Sequence, residues 1–210
     1  MTSLFMRMIV RSGNPAHRTV DRVRELDDTV RRARRRTIVI ATVGFVIGAL
    51  AGVLLTTGDP PSTRILASLG MGLSICGLGG AFSLLPTTFR LGREMQTPGR
   101  TFNQRERRTI LRAVYSGRPI EPRDSDLALP ARESARVAST TLPVTLAQTL
   151  LLFAGIGGPQ LLNLLRDDAW SAGFSRIFVA AIIVACVGFS ISFRRNIRGA
   201  RRYLAASSER

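Results

Sequence analysis

Four stretches without a charged residue constrain this chain more than any other feature. They cover residues 37–57, 65–85, 142–165 and 177–193. A bilayer core of ~30 Å is crossed by about 20 helical residues, with about 17 as the lower limit. Because hydrocarbon offers no water to unpaired backbone groups, each stretch is predicted to be a helix. The sequence therefore predicts an all-α integral membrane protein with four transmembrane helices arranged as two hairpins.

Composition argues against the other classes of chain. Apolar residues make up 45% of the sequence although the net charge is +16. Disordered basic segments lack apolar residues, and a soluble domain spreads them at short periods instead of collecting them in blocks. The first stretch continues past the small-residue motif at 49–51, which favours a retained helix over a cleaved secretory signal.

The positions of the arginines predict the orientation. All 30 basic residues are arginine, and segments 1–36, 89–140 and 194–210 hold ten, eleven and six of them. These segments alternate with the connections 58–64 and 166–176, which are each neutral, and this is the positive-inside pattern. We therefore expect both termini and the central connection to lie in the cytoplasm, with the chain in the bacterial cytoplasmic membrane.

The predicted organisation has five parts. They are a cytoplasmic N-terminal segment with an amphipathic helix (1–36), a first transmembrane hairpin (37–88), a cytoplasmic connecting segment (89–141), a second transmembrane hairpin (142–193) and a cytoplasmic basic tail (194–210).

Small residues recur at four-residue spacing in the first two stretches. Such strips let another helix backbone approach closely, and they favour helix association in membranes. We predict a packing face either between the hairpin partners or between subunits; the alternative is that glycine is simply common in membrane helices. The residues are Gly44, Gly48 and Gly52 in the first stretch, and Ser68, Gly72, Cys76 and Gly80 in the second.

Clusters of arginine flank the first and the last stretch. Beside a membrane, such residues attract anionic headgroups by ~1 kcal/mol each. Nucleic-acid binding is disfavoured because no aromatic side chains are interleaved with the clusters. We therefore expect anionic lipids, and no nucleic acid, to contact Arg31, Arg32, Arg34, Arg35, Arg36, Arg194, Arg195 and Arg198.

The interiors of the four stretches lack acidic residues, arginine and histidine. Ion-coupled transporters usually carry such a group inside the membrane. Gln148 is the candidate for a polar contact between helices. The run at 155–159, Gly-Ile-Gly-Gly-Pro, predicts a kink or an early end of the third helix, and the alternative is a binding site at a broken helix.

Local signals predict further helices outside the apolar stretches. Pro15 suits the first position of a helix that runs on into the first stretch. The sequence from Asn103 to Glu106 fits a capping box, and Gly117 suits a helix end. Ser125 or Asp126 is a candidate cap for another helix that reaches about Ser139.

One part of the central segment resembles known sequences. Residues 106–119, Glu-Arg-Arg-Thr-Ile-Leu-Arg-Ala-Val-Tyr-Ser-Gly-Arg-Pro, are followed by Asp126-Leu-Ala and an alanine-rich helix. This stretch is similar to one in uncharacterised small four-helix membrane proteins of high-GC Gram-positive bacteria, which share the all-arginine usage. The resemblance implies a basic helical motif on the cytoplasmic face and implies no activity.

The residues that usually carry catalysis form no constellation. His17, Cys76 and Cys186 are too few and too far apart in sequence for a metal site. We also find no phosphate-binding loop and no nucleophile motif. The sequence thus predicts no cofactor, no metal and no enzyme activity. It favours a non-catalytic interaction, assembly or scaffold subunit that contacts lipids, further copies of itself or other membrane proteins; the alternative is a small transporter, pore or holin-like permeability factor.

Overall fold

The computed structural model describes residues 15–96, 102–122, 125–164 and 168–208. The described chain is helical and contains no strand. Its five helices are α1 (Pro15–Leu55), α2 (Pro61–Gln96), α3 (Gln104–Ser116), α4 (Ala128–Asn163) and α5 (Ala169–Ser208).

Four of these helices are long and apolar enough to cross a membrane. The candidate membrane spans are Asp28–Leu55, Pro61–Gly92, Ala128–Asn163 and Trp170–Ser207, one in each of α1, α2, α4 and α5. The helices contain 36 to 41 residues. At ~1.5 Å per residue each is about 54 to 62 Å long, roughly twice the hydrocarbon thickness. The helices therefore continue well beyond the length that a membrane crossing requires.

The first hairpin consists of α1 and α2. Helix α1 begins at Pro15 and continues without a break through the first apolar stretch. The connection to α2 contains Gly58 at φ +109°, a conformation that glycine adopts without strain. Helix α2 then begins at Pro61, where a missing N–H is harmless.

Helix α3 begins and ends as predicted. The Asn103 side-chain oxygen accepts from the Gln104 N–H at 2.7 Å, and the Asn103 N–H donates to Glu106 Oε2 at 2.8 Å. These contacts belong to a complete capping box. At the other end Gly117 has φ +73°, and its N–H donates to the carbonyl oxygens of Ala113 and Val114. Both ends of this helix are thus encoded locally.

Helix α4 corrects three predictions. It runs from Ala128 to Asn163 as one helix, so no separate helix ends near Ser139 and no early end occurs at 155–159. Its N-cap position is Leu127, which makes no side-chain cap, so neither Ser125 nor Asp126 caps it. Contacts with neighbouring helices outweigh the local signals for a break, and Pro143 and Pro159 both lie inside the helix.

The predicted basic tail is also helical as far as the structure describes it. Helix α5 continues through residues 194–208 without interruption. At its start, the Asp168 carboxylate accepts from the Ser171 N–H at 3.1 Å and from the Ser171 hydroxyl at 2.6 Å. A side-chain cap therefore fixes the first turn of α5.

The four long helices form a single row in the order α1, α2, α4, α5. Helix α2 contacts α1 and α4, and α4 contacts α2 and α5, with a small contact between α1 and α4. Within the described residues, α5 contacts neither α1 nor α2, and α3 contacts only α4 and α5. The long helices thus form one layer instead of a closed bundle.

Two apolar cores hold this layer together. The first consists of Leu84 and Leu91 of α2 and Val144 of α4, covered by Val30 and Ala33 of α1 and by Leu151 of α4. The second joins α3 to the start of α4 and to the end of α5. We call the second core the three-helix cluster; its buried members are Ile110, Val114, Ala131, Ala135, Ala138, Ala200 and Tyr203.

Candidate functional site

The predicted glycine strip of α1 lies directly against α2. A Cβ atom built on Gly48 would lie 2.8 Å from the Met71 carbonyl carbon and 2.9 Å from the Gly72 Cα. One built on Gly52 would lie 2.6 Å from the Ser68 Cα. Carbon atoms rest at about 3.5–4.0 Å, so the backbones approach to a distance that only glycine permits here.

The predicted strip of α2 faces the same crossing. Ser68, Gly72 and Cys76 supply the backbone that Gly52, Gly48 and Gly44 meet. The fourth residue, Gly80, lies between α1 and α4: a Cβ there would be 3.1 Å from Leu151 and 3.6 Å from the Ala41 side chain. Of the two uses that the sequence left open, the structure places these residues at the contact between hairpin partners.

A second close crossing joins the two hairpins, and sequence reasoning missed it. Gly70 and Gly77 of α2 face Gly158 and Gly155 of α4. A Cβ on Gly77 would lie 2.6 Å from the Gly155 Cα, and one on Gly158 would lie 2.8 Å from the backbone nitrogen of Ser74. The seven-residue spacing of Gly70 and Gly77 was the available signal, since it places both on one helix face. Residues 155–158 are thus a contact surface within a continuous helix.

Gln148 lies at this same interface between α2 and α4. Its side chain is 8% exposed, and its Oε1 accepts a hydrogen bond from the Thr88 hydroxyl at 2.6 Å. The same hydroxyl lies 3.0 Å from the Leu84 carbonyl oxygen. Gln148 is therefore engaged by the neighbouring helix at the position where the sequence suggested a polar contact.

Another polar group joins α4 to α5. Gln160 Oε1 accepts from the hydroxyl of the buried Ser175 at 3.0 Å and from the Asn163 side-chain amide at 3.2 Å. These residues lie near the end of α4 and the start of α5. Gln148 and Gln160 of α4 thus each accept a hydrogen bond from a neighbouring helix.

The three-helix cluster is built on small residues that face two larger ones. Val114 and Tyr203 are almost fully buried among the alanines of α4 and Ala200 of α5. Gly199 touches the backbone of Tyr115, and a Cβ there would lie 2.7 Å from the Tyr115 carbonyl carbon. The end of α5 is therefore docked against α3, although the sequence suggested a basic tail.

Tyr115 shows the electrostatic effect of this docking. Burial raises the pKa of the Tyr115 phenol above its usual value, because desolvation disfavours the phenolate. The phenol therefore keeps its proton to a higher pH than a solvent-exposed tyrosine does, because its pKa is raised.

Every arginine of the two predicted clusters is exposed. The structure places Arg31, Arg32, Arg34, Arg35 and Arg36 on α1, and Arg194, Arg195 and Arg198 on α5. The first set precedes the uncharged stretch 37–57, and the second follows the uncharged stretch 177–193. Their guanidinium groups are therefore accessible to an anionic surface.

The described residues contain no group of three or more His, Cys, Asp or Glu side chains suited to a metal ion. Cys76 and Cys186 are free thiols on α2 and α5, helices that do not contact each other. His17 lies in α1, where its side chain falls outside the described residues.

Comparison of the chain with protein-family models, with curated proteins and with solved structures gives no match.

Proposed function

We propose that this chain is a non-catalytic multi-pass protein of the bacterial cytoplasmic membrane that assembles partners around a helical platform. The observation that carries the proposal is the three-helix cluster. Helix α3, the start of α4 and the end of α5 lie outside the uncharged stretches 142–165 and 177–193, and they bury a common core. A structured extension of this kind offers a rigid surface outside the membrane, which is the main requirement of a scaffold subunit.

In this proposal both termini and the connection between α2 and α4 lie in the cytoplasm. The support is the distribution of arginine, of which segments 1–36, 89–140 and 194–210 hold ten, eleven and six of the 30. The extended ends of α1, α2, α4 and α5 and the whole of α3 then share one side of the membrane. The arrangement agrees with the basic cytoplasmic motif implied by the resemblance at residues 106–119.

Reporter fusions test this orientation. Alkaline phosphatase is active only outside the cytoplasm, and green fluorescent protein serves as the complementary reporter. We expect phosphatase activity from a fusion in the turn at Gly58, and fluorescence from fusions at Gly117 and after Arg210. Phosphatase activity at either of the last two positions would contradict the proposed topology.

Anionic headgroups are the proposed lipid partners of the exposed arginine clusters. Replacing Arg194, Arg195 and Arg198 together with glutamine removes three charges without shortening the side chains greatly. We expect weaker retention of phosphatidylglycerol on the purified protein, because each residue contributes ~1 kcal/mol to such attraction. Native mass spectrometry with counted lipids measures this effect, and the same triple change at the exposed Arg105, Arg107 and Arg108 of α3 is the matched control.

The second candidate, a transporter or pore that uses α4, requires space beside its polar or glycine residues. Gln148 is engaged by Thr88, and Gly155 and Gly158 lie against the α2 backbone. This packing favours the scaffold proposal. Flux of potassium and of a small dye through reconstituted vesicles decides between the two, since we expect no flux above empty vesicles. Flux that is abolished by Gln148→Leu in a folded protein would establish the permeability function.

In this proposal, a second copy of the chain or another membrane protein binds to the sides of α1 and α5 that face away from the row. The glycine strips are covered within the chain, whereas α1 exposes large apolar side chains over residues 38–55 and α5 exposes them over residues 170–191. These two helices end the row, so each has a free side within the described residues. We propose these faces as the surfaces for lipid and for membrane-embedded partners.

A further inference from the structure

A small cavity opens on the surface of the three-helix cluster. Its volume is about 130 Å³, and it lies between the loop after α3, the first turns of α4 and the last turns of α5. Its lining residues are Pro119, Ile120, Ala128, Leu129, Arg132, Tyr203 and Ser207. A cavity of roughly this size holds one apolar group such as a leucine side chain.

Among the described residues, the lining combines apolar surface with one charged side chain. Leu129 is 78% exposed at the cavity, and Arg132 follows it by one helical turn. Residues three apart on a helix place their Cβ atoms about 5–6 Å from each other. A ligand that fits both features has an apolar side chain and a carboxylate at a similar separation.

The position of the cavity favours a ligand from the cytoplasm over a membrane lipid. This inference rests on the membrane orientation proposed above. Leu129 precedes the predicted span at residue 142, and Ser207 follows the one that ends at 193. At ~1.5 Å per residue both lie about 20 Å from the hydrocarbon edge. Headgroups occupy only the first ~5–8 Å, so a lipid does not reach the cavity from the bilayer.

We propose that this cavity is a docking site for a cytoplasmic protein segment that carries an apolar side chain and an acidic side chain one helical turn apart. The apolar side chain fills the cavity beside Leu129 and Tyr203, and the carboxylate pairs with Arg132. A small cavity can hold one apolar anchor side chain of a partner, and Arg132 at its edge gives the direction of charge complementarity.

Fluorescently labelled helical peptides test the proposal on the full-length protein in nanodiscs of neutral lipid. The parent peptide carries leucine and glutamate at i and i+4, and three variants replace leucine with serine, glutamate with glutamine, or glutamate with lysine. Anisotropy measures their binding. We expect loss of leucine to weaken binding by about tenfold, and loss of the glutamate charge by about fivefold.

Charge reversal in the protein provides the sharpest result. With Arg132→Glu we expect the lysine peptide to bind better than the glutamate peptide, which reverses the order for the natural protein. Leu129→Asp should weaken all four peptides. Arg108→Glu and Leu111→Asp, at exposed residues of α3 outside the cavity, are the matched controls and should leave the order unchanged.

Several outcomes would overturn the proposal. The first is that no peptide binds, and the second is that Arg132→Glu leaves the order of peptide binding unaltered. The third is that the peptides do not bind while a labelled RNA oligonucleotide or phosphatidylglycerol vesicles do, in a manner that depends on Leu129. None of these substitutions changes a buried residue of the three-helix cluster, so we expect every variant to fold. A thermal unfolding curve of each variant checks this. The reporter fusions test orientation separately, so failure of peptide binding does not affect that part of the proposed function.

Discussion

Alanine substitutions along the glycine strip of α1 should produce a graded loss of stability. At Gly48 a Cβ would lie 2.8 and 2.9 Å from two α2 backbone carbon atoms, and at Gly52 it would lie 2.6 Å from the Ser68 Cα. At Gly44 the nearest atoms are 3.3 Å away, and one of them is the movable Ile75 side chain. We expect Gly48→Ala and Gly52→Ala to destabilise strongly and Gly44→Ala only weakly.

The magnitude follows from how far the two helices must separate. Relief of the contact at Gly48 requires about 1 Å, because carbon atoms rest at ~3.5–4.0 Å. If about 40 atom pairs at ~0.15 kcal/mol each form the crossing, it holds about 6 kcal/mol, and such a gap removes a quarter to a half of it. The expected cost is therefore about 1.5–3 kcal/mol, in line with ordinary overpacking. For a chain of this length the melting temperature should fall by roughly 4–10 °C.

A thiol-reactive fluorophore provides the assay in detergent. Cys76 and Cys186 are partly buried free thiols, so both become more reactive as the helices separate. Gly188→Ala is the matched control, since a Cβ there meets no atom within 4 Å. A melting temperature for Gly48→Ala equal to that of Gly188→Ala would refute the reasoning. An equal drop in melting temperature for Gly44→Ala and Gly48→Ala would show that the Cβ contacts do not determine the relative stability of the variants.

Three further predictions follow from the other interfaces. A double-mutant cycle on Thr88→Val and Gln148→Leu should give a coupling energy of about 0.6–1.7 kcal/mol by thermal unfolding, and zero coupling would contradict the hydrogen bond between them. Gly199→Leu should separate α5 from the Tyr115 backbone, so limited proteolysis should cut faster between α3 and α4, with Gly188→Leu as the unaffected control. In the folded protein the Tyr115 phenol keeps its proton at a pH at which the unfolded chain ionises it, near pH 10. The free energy of unfolding should therefore fall as the pH rises above about 10, and it should fall less in Tyr115→Phe. Ultraviolet absorbance follows the ionisation, and melting curves follow the stability.

The features that the sequence predicted well are those that depend on local chemistry. The four apolar helices follow from long stretches without charge, and both ends of α3 follow from Asn103, Glu106 and Gly117. In each case a few adjacent residues determine the conformation, through backbone hydrogen bonding in a cap or through hydropathy. No knowledge of distant partners was needed.

The features that the sequence did not predict depend on neighbouring helices. Gly155, Gly158 and Pro159 lower helix propensity, so by themselves they indicate a break. Packing against Gly70 and Gly77 reverses that interpretation, since the absence of side chains is what allows the close approach. The packing of the end of α5 was not predicted for a similar reason. Its many arginines indicate a solvated tail, although Ala200 and Tyr203 among them are buried in the three-helix cluster.

The order of the long helices in the row has a consequence for how the protein is synthesised. Of the long helices that come before it in the chain, each contacts chiefly the one directly before it: α2 contacts α1, α4 contacts α2, and α5 contacts α4. Assembly can therefore proceed from the N-terminus, with every new helix joining the free edge left by its predecessor. No pair of helices has to open to admit a later one, and the contacts between long helices form in the order of translation. Helix α3 is the exception, since it waits for the end of α5 before its apolar face is covered.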